Sequence, residues 1–151
     1  MDKSILIQYS DMKEEIKDLK RRIQKLEREI DMLGIVSDSV KGTRKDGTIG
    51  SIKITGYPVP RYRKMKRLLE DRKQRLMAAE EKLLELTGEV ENYIDSIESS
   101  ELRIMFRLYY VDNMTWYQVA LRMNDMFPKR RIKYTEDSCR KRHDRFLEKV
   151  G

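Results

Sequence analysis

Residues 129 to 149 hold nine lysines and arginines against four acids, in a chain of 151 residues whose net charge is +7. That local excess of five leaves an excess of only two for all the rest, so positive potential is concentrated towards one end. Such a concentration attracts polyanions, nucleic acid first and acidic membrane second. Lys129, Arg130, Arg131 and Lys133 come first and suit a phosphate backbone. Ser138, Arg140, Lys141, Arg142 and Arg145 follow on one periodic segment, where side chains of these types reach base edges or phosphates.

Other chemistry is poorly supported. Cys139 and His143 are the single cysteine and the single histidine, four residues apart. A zinc site needs four ligands and a catalytic dyad needs a separate base, so both read as buried structural residues. Gly42 and Gly47 have the spacing of a phosphate loop, but Thr48-Ile49 stands where Lys followed by Ser or Thr is required. The acids flank apolar seams as on solvated helices, with no pair set for carboxylate catalysis. The expectation is a non-enzyme without catalytic residues, metal or cofactor.

One cysteine forms no internal disulfide, and the N-terminus lacks the apolar stretch of a signal peptide. No run approaches the roughly 18 apolar residues of a membrane span. These features predict a protein of the reducing cytoplasm with no membrane partner. In that compartment the acceptor pattern Asn113-Met114-Thr115 carries no weight.

The elements that must position the basic segment are helical. Charged and hydrophobic residues each make up 39% of the chain, with only three prolines and seven glycines, the balance of long solvent-washed helices. Ile5, Tyr9, Met12, Ile16, Leu19, Ile23, Leu26, Ile30 and Leu33 alternate steps of four and three, a heptad seam that Gly34 is expected to end. A second seam runs Tyr62, Met65, Leu69, Arg72, Leu76, Ala79, Leu83, Leu86, Val90, Tyr93 and Ile97, with Arg72 the misfit. Between them lies loop 34-61, rich in glycine. Its alternation Ile49, Ser51-Ile52-Lys53-Ile54-Thr55 predicts a short β-hairpin or extended strand.

The expected fold class is all-α: a long antiparallel coiled-coil hairpin over 1-88, then a small helix-turn-helix bundle over 89-151. Thr87-Gly88 is expected to break the second helix, which restarts at Glu89. Residues 100 to 111 are apolar nearly all round, as in a buried central helix. Thr115 with Gln118 forms a capping box that opens the next helix, on which Tyr117 also lies. Thr135 caps the last one, with Glu136 and Asp137 in its first turn. At 100° per residue, Cys139, His143, Phe146, Leu147 and Val150 share an arc of about 100° facing the core. Asp137, Ser138, Lys141, Arg145 and Glu148 lie opposite, with Arg140 and Arg142 on the flanks. A helix, a turn and a capped helix leading to a basic amphipathic helix is the grammar of helix-turn-helix DNA binding. The DNA-contacting set is therefore Thr115, Tyr117, Gln118, Lys129, Arg130, Arg131, Lys133, Thr135, Ser138, Arg140, Lys141, Arg142 and Arg145.

Several segments carry a family resemblance: Tyr93-Ile94 and Ile97, Glu101-Leu102-Arg103, Leu108-Tyr109-Tyr110, and Met114-Thr115-Trp116 with Gln118-Val119-Ala120. Ser138, Arg140-Lys141-Arg142-His143 and Arg145-Phe146-Leu147 complete it. Together they resemble the C-terminal region of phage transcriptional regulators of the ArpU/RinA type, which is similar to sigma factor region four. A weaker match extends to Asp38-Ser39-Val40-Lys41-Gly42 and Ile52-Lys53-Ile54-Thr55-Gly56. The resemblance implies a regulator of late or packaging genes that reads double-stranded DNA with its last helix in the major groove, with host RNA polymerase as a further partner. This chain departs from the pattern in its connection, with about ten residues from Asp125 to Tyr134 where sigma-like modules have a few.

Two rival readings come from other classes: a DNA-packaging protein like a terminase small subunit, assembled as a ring, and a structural coiled-coil adaptor with a basic tail. A heptad seam is satisfied within one hairpin or between chains, so a homodimer through the hairpin stands beside a monomer.

Overall fold

The computed structural model describes residues 2–39 and 59–150, and the regular structure among them is entirely helical. The strand or β-hairpin expected at 49–55 and the glycine pair at 42 and 47 lie outside the described residues. Helix α1 spans Ser4–Ser39 and α2 spans Val59–Asp95. Pro60 sits in the first turn of α2, where its missing N–H breaks no helical hydrogen bond.

Two expected breaks are absent. Gly34 lies inside α1, which continues to Ser39, and Gly88 lies inside α2. A helical glycine costs only about 1 kcal/mol relative to alanine. At Gly88 that cost is outweighed by the neighbours it keeps in register, Leu86, Val90, Tyr93 and Ile94, all buried. The Thr87 hydroxyl donates to the Leu83 carbonyl at 2.7 Å, satisfying itself within the helix. Residue 88 is therefore no boundary between elements.

Contacts divide the chain into two compact units, Glu14–Glu81 and Met1–Lys13 with Lys82–Gly151. In the first unit Ile23, Leu26, Ile30 and Leu69 form a small core flanked by Tyr62, Met65 and Leu76. Lys20 lies 3.9 Å from Glu80, and the Arg72 guanidinium donates to the Arg22 carbonyl at 3.3 Å. The later residue on α1 meets the earlier one on α2, so the helices run in opposite directions there. The misfit Arg72 thus reaches a backbone acceptor from within an otherwise apolar seam.

The second unit has its own core, built from Leu6 and Tyr9 of α1, Leu86, Val90, Tyr93, Ile94 and Ile97, and the C-terminal helices. Helix α3, Ser100–Phe106, begins at Ser99, whose hydroxyl accepts from the Leu102 N–H at 3.3 Å. It continues without interruption into a π-helical turn, Arg107–Val111, closed by the Asp112 N–H donating to the Arg107 carbonyl at 3.0 Å. Asn113 then adopts a left-handed φ of 59°, a conformation that asparagine tolerates better than most residues. Lys13 caps this wide turn from α1: its ammonium donates to the Tyr110 carbonyl, to the Val111 carbonyl at 3.4 Å and to Asn113 Oδ1 at 2.8 Å. Cations are favourable at such a carbonyl-rich end.

Helix α4 spans Trp116–Met126 and α5 spans Glu136–Val150. Val119, Ala120 and Met123 of α4 and Cys139 and His143 of α5 are buried against Met105, Phe106, Leu108 and Tyr110. The apolar arc expected for α5 holds through Leu147, which is half-buried; Val150 is 52% exposed and lies beyond the core.

Candidate nucleic-acid interface

Two capping motifs fix the ends of α4 and α5. At α4 the Thr115 hydroxyl accepts from the Gln118 N–H at 3.2 Å, while the Gln118 side-chain oxygen accepts from the Thr115 N–H at 3.0 Å. The reciprocal pair stabilises the helix start, so both side chains are engaged there although exposed. Tyr117, the next residue after Trp116, is 60% exposed.

At α5 the Thr135 hydroxyl accepts from the Ser138 N–H at 3.0 Å, and the Thr135 N–H donates to the Ser138 hydroxyl at 2.9 Å. Serine here takes the part usually given to Glu or Gln. Its hydroxyl also donates to the Thr135 carbonyl at 3.1 Å, so Ser138 is half-buried and engaged in the cap.

Residues 127–135, which join these helices, are ordered by a clasp that the sequence did not announce. The Asn124 side chain donates to the Tyr134 carbonyl at 3.0 Å and accepts from the Tyr134 N–H at 2.8 Å. One amide thus satisfies both backbone groups of a residue ten positions away, in the manner of a β-pair. The Tyr134 ring is buried 6.2 Å from the Phe127 ring, and its hydroxyl donates to Glu101. A turn closes where the Arg130 N–H donates to the Phe127 carbonyl at 3.2 Å. The Arg130 guanidinium lies 5.2 Å over the Phe127 ring, and the Lys133 ammonium donates to the Pro128 carbonyl at 2.9 Å. Lys129, Arg130, Arg131 and Lys133 are all exposed, with Ile132 among them at 86% exposure.

The cations of α5 have three different environments. Arg140 and Lys141 share one carboxylate, Asp137, at 2.5 and 2.9 Å, all three side chains being at least half exposed. Lys141 and then Arg140 hold the Asp137 carboxyl below the usual range. Two cations on one acid keep a net positive charge, and such exposed pairs are held weakly. Arg145 is exposed on the same outer side.

Arg142 departs from the expectation of a DNA-facing flank. Its guanidinium donates to both oxygens of Glu101 on α3, at 3.0 and 2.8 Å, and lies 6.0 Å over the Tyr134 ring. The hydrogen-bonded Arg142 guanidinium holds the Glu101 carboxyl below its ordinary range, and Glu101 in turn raises Arg142. A flank position on a helical wheel does not reveal an acid on another element, and here that acid draws the side chain inwards. The roles of Glu101, Asn124 and Tyr134 were not recognised from the sequence. Each is a long-range partner without a local signal.

His143 and Cys139 lie in the core as expected. The His143 Nε2 is 2.6 Å from the Tyr110 hydroxyl and its Nδ1 is 3.0 Å from Asp144 Oδ1. A carboxylate only accepts, so the neutral ring carries its proton on Nδ1 and Nε2 accepts from Tyr110. Burial lowers the imidazole below its ordinary value, with Asp144 opposing, and it pushes the Tyr110 hydroxyl up. Burial also raises the Cys139 thiol, the direction of an unreactive cysteine. Aromatic rings surround the imidazole, with Phe106 at 5.0 Å, Trp116 at 4.9 Å and Tyr109 at 5.7 Å between centroids. No cluster of three or more potential metal ligands occurs among the described residues. No helix among them is long and apolar enough to cross a membrane.

Comparison with protein-family models, with curated proteins and with solved structures yields no match to this chain.

Proposed function

We propose that this chain binds double-stranded DNA and acts as a non-enzymatic transcriptional regulator. In this reading α4 and α5 form a helix-turn-helix pair whose turn is enlarged to residues 127–135, and α1 with α2 forms a coiled-coil hairpin that supports it. The observation that carries the reading is the pattern of cation pairing. Lys129, Arg130, Arg131, Lys133, Arg140, Lys141 and Arg145 are exposed and, among the described residues, none is ion-paired to another element. Arg142, by contrast, is bound to α3 and serves to orient α5. Positive side chains on an ordered loop and on the outer face of a capped helix match a phosphate backbone flanking a groove.

The resemblance to ArpU/RinA-type regulators extends this to a phage-encoded protein acting in the bacterial cytoplasm on late or packaging genes. Host RNA polymerase and a second copy of the hairpin are its further partners.

Duplex binding across a salt series tests the proposal. With about five phosphate contacts, the slope of log K against log salt is near −4 to −5. Arg131→Ala with Arg145→Ala flattens it by about 2. Equal binding by wild type and the double variant would sink the assignment. Light scattering accompanies this test: a ring of many copies indicates DNA packaging, and an absence of duplex binding at physiological salt leaves a coiled-coil adaptor.

A further inference from the structure

The side chain of Ile132 stands out on the connection between α4 and α5. It is 86% exposed, more than any other large hydrophobic residue described, and Arg131 and Lys133 flank it directly. An isolated exposed apolar residue on a loose surface would call for no explanation. This one stands on a segment held in several ways. Asn124 clasps both backbone groups of Tyr134, Lys133 bonds the Pro128 carbonyl, and Arg130 covers Phe127. Those contacts fix the base of the loop and leave Ile132 projecting with no partner of its own inside the protein.

We propose that Ile132 is an apolar wedge that enters the minor groove of duplex DNA and partly unstacks one base step, while Lys129, Arg131 and Lys133 hold the adjoining phosphates. The inference rests on the DNA-binding reading above and deepens it. Three features suit that occupant. The cations around Ile132 complement a phosphate backbone and would repel a basic protein surface. An apolar side chain ringed by cations is the arrangement with which minor-groove proteins open a step and bend the helix. The clasp by Asn124 pre-orders the loop, so little conformational entropy remains to be lost on insertion. Flexible pyrimidine–purine steps yield most easily, so the wedge favours TA or CA steps.

The test uses the full chain and a mixed-sequence duplex containing TA steps, labelled at both ends for energy transfer. Wild type is expected to bend the duplex by roughly 20–90°. Ile132→Ala is expected to bind about tenfold more weakly and to leave the duplex nearly straight. Arg131→Ala is expected to weaken binding and flatten the salt dependence while keeping the bend. Ile132 is solvent-facing, so an unchanged melting temperature for Ile132→Ala establishes that the fold is intact. A bend and an affinity that Ile132→Ala leaves unaltered overturn the wedge and leave DNA binding standing. Wild type that binds no duplex overturns both.

Discussion

Arg142 on α5 and Glu101 on α3 face each other through two hydrogen bonds of 3.0 and 2.8 Å, and the Tyr134 hydroxyl also donates to that carboxylate. One acid therefore ties together the central helix, the last helix and the end of the connection between α4 and α5. Fork-to-fork geometry of this kind fixes orientation as well as adding energy.

Glu101→Gln keeps the shape and removes the charge. Its expected cost is about 1 kcal/mol, discounted for the partial exposure of Arg142, which corresponds to a fall in Tm of roughly 2–5 °C. The native carboxyl titrates below its ordinary value of 4.5, so the ion pair contributes fully above that pH. Its contribution is lost as pH falls through the lower native value. Melting curves of wild type and variant should therefore converge in acid and separate towards neutrality; a constant gap across the series would argue against the pair.

Protonation of His143 acts in the same sense at higher pH. Burial depresses its folded value below 6.5, so the unfolded chain binds the proton more readily. Stability is at its full level above about 6.5 and declines as pH drops below it. Denaturant titrations from pH 7.5 to 5 should show this decline in wild type, and His143→Phe should abolish the dependence in that window while altering the core.

Asn124→Ala removes a donor and an acceptor at once and leaves the Tyr134 backbone groups without their partners. The expected loss is about 1–3 kcal/mol. Chemical denaturation measures it, and amide exchange at Tyr134 should rise with it. Asn124→Asp retains the acceptor alone and should fall between the two.

Gly88→Ala should stabilise the protein. A Cβ at this position meets nothing within 4 Å, and the residue lies in mid-helix. The gain expected is about 0.5–1 kcal/mol, read from the denaturation midpoint. A loss instead would mean that the backbone at 88 is not helical.

The two seams were legible because periodicity records burial. Tyr9, Ile16, Ile23, Leu26 and Ile30 on α1, Leu69, Leu86, Val90 and Tyr93 on α2, and Ile97 just past its end are the buried positions that the spacing names. Both caps, Thr115 with Gln118 and Thr135, were also legible, since a cap is satisfied within four residues. Helix ends were read less well. Gly34 and Gly88 signal a break only if no packing opposes it, and for Gly88 that packing is set by residues distant in sequence. Leu6 and Ile94 escaped the heptad count because each sits beside a seam position and is buried in a core shared with the C-terminal helices. The pairing of Arg142 was not legible for a related reason: its charge could be assigned to a face, but the acid it binds lies 41 positions earlier.

The grip of Lys13 on the π-helical turn, together with the burial of Leu6 and Tyr9 beside Val90, Ile94 and Met105, has a consequence for biosynthesis. The opening turns of α1 are translated well before the residues that shelter them, Lys13 lying 97 positions ahead of Tyr110. Those turns must stay solvated, or be shielded by something else, until the residues from Val90 to Met105 have emerged. An excised segment starting at 89 would carry an unfilled hollow where Leu6 and Tyr9 belong.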